Sequence, residues 1–319
     1  MMRALMVATC LVLAWLLPPA IAGAQDAHGV MTARVSVVSV LPVWPGRPPN
    51  AAEPEGSGVV VGDGTRVITA DHVLGPGDGA AQVLVRDSDG VIHPARVLAR
   101  NRLTDIAVLA LETPLTAAAW RAGPVGPGLP VCAIGNAFGL GLSITCGRVS
   151  ATHRAGVGFN GVEDFIQTDA AVNPGMSGGA LVDEDGALVG MLSAIFTKQS
   201  DANIGINFAV HLGLIHAVRS AAEAGAPFLP FKTGVLARPV PQKGEAGREG
   251  LLVARLVEGS AGAQSGLKAG DVIYSAGGRR IRKVADWVSV MAQVGPGDEV
   301  SVSGSRGSSP IEVTLKRPE

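Results

Sequence analysis

Ser177 is the residue in this sequence whose surroundings best suit a reactive hydroxyl group. It lies in a predicted tight turn, with Asn-Pro-Gly at 173–175 upstream and Gly-Gly at 178–179 directly after it. Glycines let a substrate backbone approach closely, and adjacent amide hydrogens can converge on one point. A serine in such a turn is more often structural than catalytic, so catalysis needs a base and an orienting acid elsewhere in the chain.

His72 and Asp105 are the residues that could activate this hydroxyl. His72 follows the apolar strand Arg66–Ile68 where the strand gives way to a turn, and Asp105 begins another apolar strand. A serine becomes a good nucleophile when a histidine takes its proton and a carboxylate holds that imidazole in one tautomer. Each residue alone is more often structural, but the three together predict acyl transfer by a Ser-His-Asp triad.

Composition limits the class of protein. The chain has 319 residues, which is enough for two domains with a sizeable core. Its formal net charge is −1, and it has four Trp, one Tyr and seven Phe. Without a basic patch or aromatic residues for base stacking, we expect no nucleic-acid partner.

Residues 1–24 are typical of a signal peptide. Arg3 precedes the apolar run Ala4–Leu17, and the small residues at 22–24 form a cleavage pattern that would leave Gln25 as the new N-terminus. The apolar run is short for a membrane span. The alternative is an uncleaved anchor.

Two cysteines, Cys132 and Cys146, would remain after cleavage. They flank a predicted hairpin that turns near 139–141, so they would lie roughly opposite each other. An even number of cysteines in an exported chain favours a disulfide bond. The alternative is two buried small hydrophobic side chains.

Short β-branched runs separated by Gly, Asp, Asn or Pro dominate the chain from Val35 to Val210. Runs at this spacing predict an all-β sandwich or barrel in two packed halves. Thr113–Pro130, with four prolines, lies midway and is expected to join the halves. The predicted strands are Val35–Val43, Gly58–Val61, Arg66–Ala70, Gln82–Arg86, Ala95–Leu98, Asp105–Leu111, Val131–Ile134, Leu142–Val149, Phe165–Thr168, Ala180–Val182, Ala187–Ala194 and Ile206–Val210.

A helix and a second domain follow. Apolar residues at helical spacing predict a helix over Leu212–Ala224, which Gly225 and Pro227 end. Residues 227–232 form a predicted linker, and residues 233–319 a separate module of mixed α and β structure. Its predicted elements are the strands Leu251–Val257, Gly270–Tyr274, Glu299–Ser303 and Ile311–Leu315 and the helices Ser260–Gly266 and Lys283–Val294.

Several segments resemble the signatures of HtrA/Deg-type serine proteases. They are Gly56–Val61, Ile68–Leu74, Asp105–Leu109, Gln167–Leu181 and Asn203–Val210. The motifs at 259–263 and 266–273 are similar to those of the PDZ domain in that family. The resemblance covers nearly the whole mature chain. It implies a mostly β fold, with a chymotrypsin-like double β-barrel protease domain over 25–226 and one small α+β PDZ domain over 233–319.

The resemblance also implies a role for each residue of the triad. Ser177 would be the nucleophile, His72 the general base and acid, and Asp105 the orienting carboxylate. The main-chain N–H groups of Gly175 and Ser177 would form the oxyanion hole, which Met176 would help to shape. Loss of one such donor costs on the order of 3 kcal/mol of transition-state stabilisation.

The same resemblance implies a specificity pocket with apolar walls. No acid is present among the residues expected to line it, so we expect a small or medium aliphatic residue before the scissile bond, and no trypsin-like preference for Lys or Arg. The expected lining consists of Val172 and the strand residues Ser193, Ala194, Ile195 and Phe196.

Three positions bear on regulation or depart from the family pattern. Met176 stands where the family usually has Asn, but the oxyanion donors belong to the main chain, so activity is expected to survive. The PDZ peptide-binding stretch, Thr233-Gly234-Val235, lacks the usual aromatic residue and leucine, which puts its affinity for hydrophobic C-termini in doubt. Arg154 matches a family arginine that relays PDZ occupancy; the alternative is a solvated loop arginine.

Other candidate sites are weaker. The glycine-rich stretch 135–141 is not followed by Gly-Lys-Ser/Thr, which predicts a turn and not a phosphate loop. His211 and His216 are five residues apart on a predicted helix and do not face one metal ion. We therefore expect neither a cofactor nor a metal ion.

The signal peptide and the three candidate catalytic residues predict an exported serine hydrolase. The family resemblance implies that it is a periplasmic serine endopeptidase that cleaves unfolded or misfolded proteins. Its PDZ domain would bind C-terminal peptides or β-strand segments by strand addition. The resemblance implies a homotrimer or a multiple of it. One alternative is a non-catalytic PDZ scaffold or holdase on an inactive protease fold, and another is a regulated sheddase that cuts a single signalling protein.

Overall fold

A computed structural model describes residues 23–44, 56–76, 82–195, 205–240 and 249–319. Residues 1–22, which make up nearly all of the predicted signal peptide, lie outside this described part. The first helix, α1 (Gly23–Ala33), spans the predicted cleavage point. None of the helices in the described ranges has both the length and the apolar character needed to cross a bilayer.

The first six strands close into a barrel in the order β1-β2-β3-β6-β5-β4. Strand β1 pairs with both β2 and β4, which closes the ring. Fully buried Val and Ile side chains fill its interior, as expected where β-branched residues alternate along a pleated strand. The strands are β1 (Val37–Val43), β2 (Gly56–Val61), β3 (Arg66–Thr69), β4 (Gln82–Arg86), β5 (Ile92–Asn101) and β6 (Ile106–Leu111).

The next six strands form a second barrel in the order β10-β11-β12-β9-β8-β7. A disulfide bond joins Cys132 to Cys146 across β7 and β8, with an S–S distance of 2.09 Å. Helix α2 (Leu212–Glu223) follows the barrel and buries an apolar face that includes Leu214 and Val218. The strands are β7 (Pro130–Asn136), β8 (Leu142–Arg154), β9 (Phe165–Thr168), β10 (Ala180–Val182), β11 (Leu188–Ile195) and β12 (Asn207–His211).

The C-terminal domain is a sheet of order β13-β14-β15-β17-β18 with two helices, and β16 pairs with β15. Its core includes Phe231, which belongs to the predicted linker and is only 7% exposed. The elements are β13 (Val235–Pro239), β14 (Leu251–Leu256), α3 (Ala261–Gln264), β15 (Val272–Ala276), β16 (Arg279–Arg280), α4 (Val284–Met291), β17 (Glu299–Arg306) and β18 (Ser309–Lys316).

The predicted fold class is confirmed: two β-barrels are followed by a small α+β domain. Some element bounds differ. Strand β5 was predicted as Ala95–Leu98 and extends over Ile92–Asn101, because its polar residues occupy half-exposed positions that a search for apolar runs passes over. Strand β8 was predicted to end at Val149 and continues to Arg154 through two register shifts. Helix α1 and strand β13 were not predicted.

Candidate active site

The structure brings His72 and Asp105 into direct contact. The imidazole Nδ1 lies 2.9 Å from each carboxylate oxygen, and the main-chain N–H of His72 donates to Asp105 Oδ1 at 3.0 Å. The Ser193 hydroxyl donates to Asp105 Oδ2 at 2.9 Å. Asp105 is 8% exposed and adopts a φ of 56°, a left-handed conformation that Asp tolerates better than most residues. Buried and held by these donors, the carboxylate has a single defined orientation.

An ion pair between buried Asp71 and half-buried Arg100 supports the turn that carries His72. This turn is a short 3₁₀ helix, Asp71–Leu74. The Arg100 Nε donates to Asp71 Oδ1 at 2.7 Å, and its terminal nitrogen donates to the main-chain oxygens of Asp71 at 3.0 Å and Gly75 at 2.7 Å. Arg100 thus bonds to the first residue of the turn and to the residue that follows its last. The prediction from sequence missed this pair because nothing local links residues 29 positions apart.

The environment of His72 favours its protonated form. Burial lowers the pKa of His72, but the hydrogen bond and charge of Asp105, together with the charge of Asp71, raise it more. The net effect is a pKa above the ordinary 6.5. A carboxylate on Nδ1 also fixes the tautomer in which Nε2 carries the free lone pair. The ring is therefore prepared to accept a proton at Nε2.

Ser193 connects Ser177 to this pair. The Ser177 hydroxyl donates to the main-chain carbonyl of Ser193 at 3.2 Å, while the Ser193 side chain donates to Asp105. Among the described residues, the Ser177 hydroxyl thus bonds to Ser193 and not to His72. Catalytic hydrogen bonds are often formed only when substrate binds. Ser193 therefore bonds to both Ser177 and Asp105, and through Asp105 it is linked to His72.

The turn that carries Ser177 leaves two main-chain donors free. Gly175 and Gly178 have φ values of 89° and 87°, which glycine adopts at little cost. The N–H of Met176 donates to Asn173 O at 3.0 Å. Within the described part of the chain, the N–H groups of Gly175 and Ser177 meet no acceptor. Of the three residues predicted for the oxyanion hole, two therefore offer a free donor.

Met176 and Val172 lie beneath the turn. The Met176 side chain is fully buried, and its Sδ accepts the Asn173 N–H at 3.4 Å. Val172 is 3% exposed and belongs to the same apolar cluster. The Ser193 hydroxyl points at Asp105, and the place of Ser193 in the wall of the specificity pocket stays a prediction. Ala194 and Ile195 belong to β11, and Phe196 lies outside the described residues.

Arg154 ends strand β8 and begins the loop 155–163. Its Nε donates to Gln167 Oε1 at 3.2 Å on an exposed surface. The loop is organised around buried Glu163, whose carboxylate accepts four main-chain N–H groups at 2.6–3.0 Å. The Val162 N–H donates to Leu103 O at 2.7 Å. The loop therefore contacts the segment two residues before Asp105.

The C-terminal domain contains a groove of about 260 Å³ between β13 and α4. Strand β13 pairs on one side only, with β14, so its other edge is open among the described residues. Of the predicted peptide-binding residues, Gly234 has a φ of 72°, and the Val235 N–H donates to Thr233 Oγ1 at 3.2 Å. The groove is lined by Val235, Leu236, Ala237, Arg238, Leu251, Ala254, Val284 and Trp287.

A buried carboxylate, Asp164, joins the second barrel to the C-terminal domain. It is fully buried, and Arg279 donates to its two oxygens at 3.0 and 3.1 Å while Gln293 donates at 2.8 Å. His153 Nδ1 lies 3.0 Å from the same carboxylate. Burial raises the pKa of Asp164, but the His153 hydrogen bond and the Arg279 charge lower it more. The carboxylate therefore stays ionised.

The same cluster contains a set of potential metal ligands. Ligand atoms of His153, Asp164 and His211 lie within 4.8 Å of one another. However, the Arg279 guanidinium already occupies both Asp164 oxygens, and the His211 Nδ1 accepts the Gly213 N–H at 3.2 Å. A cation would have to displace the guanidinium, so these residues fit an ion pair between domains better than a metal site. The prediction from sequence considered His211 only with His216.

Comparisons with known proteins agree with this arrangement. Residues 56–191 match the trypsin-like peptidase domain family, and residues 203–316 match the PDZ domain family. The periplasmic pH-dependent serine endoprotease DegQ of Escherichia coli (strain K12) is 32% identical over 283 residues, covering 85% of this chain and 61% of the relative. The periplasmic serine endoprotease DegP of Salmonella typhimurium is 34% identical over 275 residues, covering 82% of this chain and 56% of the relative.

A solved structure of the HtrA-type protease AlgW with tripeptide is also similar. It is 31% identical, with a TM-score of 0.68, and the match covers 92% of this chain and 98% of that one. The chain spans about 60% of the length of DegQ and DegP. The domains, their order and the match over nearly the whole length of AlgW agree with one another, and the chain belongs to the family of HtrA-type serine proteases.

Proposed function

We propose that this protein is an exported, periplasmic serine endopeptidase that hydrolyses peptide bonds of unfolded or misfolded proteins. The observation that carries the proposal is the contact of His72 Nδ1 with both oxygens of a carboxylate that Ser193 also holds. Buried carboxylates oriented in this way serve to hold a catalytic imidazole. Membership of the HtrA-type family and the periplasmic relatives DegQ and DegP support the same activity and location.

In the proposed mechanism, substrate binding turns the Ser177 hydroxyl from Ser193 O toward His72. His72 Nε2 takes the hydroxyl proton as Ser177 Oγ attacks the scissile carbonyl, and Asp105 stabilises the imidazolium that forms. His72 then donates this proton to the leaving amine. The same nitrogen then takes a proton from a water molecule, whose oxygen attacks the acyl-enzyme. As the bond from the acyl carbon to Ser177 Oγ breaks, His72 returns this proton to Ser177 Oγ and the acid product leaves.

The free N–H groups of Gly175 and Ser177 are proposed to bind the oxyanion of the tetrahedral intermediate. Their lack of any acceptor within the described residues supports this role. Such donors act most strongly when they are fixed before the reaction. The preference for small or medium aliphatic residues stays a proposal that rests on buried Val172 and the apolar character of residues 194–196.

We also propose that the PDZ domain regulates cleavage. The open edge of β13 and the apolar groove beside it suit a C-terminal peptide added as a strand, and AlgW has been solved with a tripeptide and with a decapeptide. Arg279 holds Asp164, which ends the loop that Arg154 begins, and this loop contacts Leu103. Peptide binding would thus reach Asp105 through loop 155–163.

The assembly proposed for the chain is a homotrimer or a multiple of one. This proposal follows from family membership. The proposed substrates are unfolded or misfolded chains, as the family resemblance implies. Sedimentation of the purified mature protein would test the assembly.

A casein-degradation assay tests the proposed activity. The wild-type protein should degrade casein, the Ser177→Ala variant should not, and Ser143→Ala should match the wild type. Ser143 is a suitable control because it lies in the same barrel and, within the described ranges, its hydroxyl bonds only to Gly141 O, at 3.4 Å. A wild-type protein that prevents casein aggregation without cleaving it would instead support a holdase.

A second assay tests the proposed regulation. A peptide with a hydrophobic C-terminus should change the cleavage rate of the wild type and leave the Arg279→Met variant unaffected. Arg280→Met should respond like the wild type, because Arg280 is an exposed neighbour that lies 3.7 Å from Glu249. An unchanged peptide response in Arg279→Met would contradict the route through Asp164.

A further inference from the structure

We propose that the Ser57 hydroxyl is a positioning group that holds the oxyanion-binding turn in its working geometry. Ser57 lies in β2 of the first barrel and is fully buried. Its hydroxyl donates to Gly175 O at 2.7 Å, and its main-chain N–H donates to Ser177 O at 2.9 Å. One residue of the first barrel therefore holds two carbonyls of a turn in the second. The inference rests on the proposed serine endopeptidase activity.

The direction of the hydroxyl proton is fixed by a second hydrogen bond. The Asn136 N–H donates to Ser57 Oγ at 2.8 Å. A hydroxyl has one proton to donate, and with a donor facing its oxygen the proton is directed at Gly175 O. Ser57 Oγ thus links the hairpin of β7 and β8 to the turn that carries Ser177.

The hydrogen bonds to the carbonyls of this turn determine where the free N–H groups of Gly175 and Ser177 point. In a planar trans peptide, the C=O of one residue and the N–H of the next point in opposite directions. The Phe138 N–H donates to Pro174 O at 2.8 Å, and the Gly179 N–H donates to Met176 O at 2.9 Å. These two bonds set the directions of the Gly175 and Ser177 N–H groups.

Ser57 holds the other two peptides of the turn, Gly175–Met176 and Ser177–Gly178. Its bonds to Gly175 O and Ser177 O mean that all four carbonyls from 174 to 177 have a donor. Within the described residues, the Ser57 hydroxyl is the only side-chain donor to these four carbonyls. It can therefore be removed by substitution, whereas the main-chain donors cannot.

Close packing keeps Ser57 in place. The Thr69 hydroxyl donates to Ser57 O at 2.6 Å. A Cβ added to Gly135 would lie 3.0 Å from Ser57 Oγ and 2.9 Å from Met176 Cα, and one added to Gly178 would overlap Ser57 O. The two barrels thus meet here without room for Ser57 to move. Loss of the hydroxyl should loosen the Gly175 peptide while the rest of the contact remains.

The test is the Ser57→Ala variant, assayed with a peptide substrate. The hydroxyl holds the Gly175–Met176 peptide, which lies between the peptides that carry the two proposed oxyanion donors. Because its loss should let this segment of the turn shift and misplace both donors, we expect kcat to fall by about 10- to 100-fold with KM within about twofold of the wild type. Ser57→Cys keeps a weaker donor of similar size and should have an intermediate kcat. Thermal unfolding curves establish that each variant is folded, and Ser57→Cys carries the test if Ser57→Ala does not fold.

A peptide aldehyde separates positioning from a general structural effect. Its adduct with Ser177 places an oxygen in the oxyanion hole, so its affinity should fall with Ser57→Ala by about the same factor as kcat. Binding of an uncleaved peptide should be equal in Ser177→Ala and in the Ser57→Ala/Ser177→Ala double variant. Equal losses for aldehyde and peptide would overturn the inference.

Ser39→Ala is the matched control. Ser39 lies in β1, is 4% exposed, and accepts a hydrogen bond from Asn136 Nδ2 at 3.1 Å. It has the same residue type, barrel and partner as Ser57, and its hydroxyl does not bond to the turn among the described residues. We expect a wild-type kcat for it. An equal fall in both variants, or no fall in Ser57→Ala, would overturn the inference.

Assays of the wild type and of Ser57→Ala distinguish a failure of the proposed endopeptidase activity from a failure of the proposed role of Ser57. If the wild type neither cleaves peptide nor reacts with a fluorophosphonate, the proposed activity fails and the role of Ser57 fails with it. If the wild type does both and Ser57→Ala is equally fast, only the role of Ser57 is overturned.

Discussion

The two barrels share one topology but hold their parts of the candidate active site by different means. In the first barrel side chains hold the site, since Arg100 pairs with buried Asp71 beside His72 and Ser193 reaches over from the second barrel to Asp105. In the second barrel the turn around Ser177 is shaped mainly by glycines and main-chain hydrogen bonds, and the Ser57 hydroxyl is the one side-chain donor to the carbonyls of residues 174–177 within the described residues. The proton-transfer half should therefore respond to changes of charge, and the oxyanion half to changes of backbone geometry.

Asp105→Asn should have the largest effect. It keeps the shape of the side chain but removes the charge that fixes the His72 tautomer, and kcat should fall by about 10⁴-fold. The control is Asp87→Asn, because Asp87 also bonds to a histidine, His93, at 2.8 Å in the same barrel. Steady-state kinetics should give a wild-type kcat for that control. Similar losses in both variants would contradict a specific role for Asp105.

Arg100→Met should have the next largest effect, on stability. It leaves Asp71 buried without its main partner, and breaking a buried ion pair costs about 3–5 kcal/mol of unfolding free energy. Arg102 is an exposed residue whose Nε lies 3.9 Å from the same Asp71 carboxylate. Arg102→Met should therefore lower the unfolding free energy by less than about 1 kcal/mol. Urea unfolding measures both. Equal losses would contradict the view that burial makes the Arg100 pair important.

Loss of the Cys132–Cys146 bond tests the second barrel. The bond closes a segment with a sequence separation of 14, and a loop of that size adds about 3 kcal/mol in the chain-entropy model. The Cys132→Ala/Cys146→Ala variant should unfold at a correspondingly lower urea concentration. A reductant should destabilise the wild type and leave this variant unchanged. A reductant effect on both would show that it acts elsewhere.

The smallest predicted effect is a displaced acid limb in the pH profile. Because the pKa of His72 is raised above 6.5, kcat/KM should fall as pH drops through a value above 6.5, where His72 becomes protonated and can no longer act as base. The same shift contributes stability that is complete below about pH 6.5 and lost as pH rises through the folded-state pKa. An acid limb centred below pH 6.5 would contradict the raised pKa.

The parts of this molecule that depend on local patterns could be predicted from sequence. β-Branched runs between turn signals predict an all-β sandwich or barrel in two packed halves, and the family resemblance implies the double barrel. The surroundings of Ser177, His72 and Asp105 point to a triad. Residues whose role depends on a distant partner could not be found this way. Ser57 and Gly175 are 118 positions apart, and Asp164 and Arg279 are 115 apart.

The role of Ser193 also could not be predicted from local sequence patterns. The sequence pattern places it on a predicted strand, and the family resemblance implies that this strand lines the specificity pocket. Which way its hydroxyl points is decided by how the second barrel packs on the first, since its partner Asp105 belongs to the other barrel. No local pattern carries that information. Asp71 is similar, because its burial becomes intelligible only with Arg100 beside it.

The central claim is that Ser177 is a nucleophile activated by His72. The most direct measurement is mass spectrometry of the protein after reaction with a fluorophosphonate. We predict one adduct per chain, located on Ser177, and its loss in His72→Ala under the same conditions. An unmodified wild-type protein, an adduct on another residue, or equally rapid labelling of His72→Ala would contradict the account.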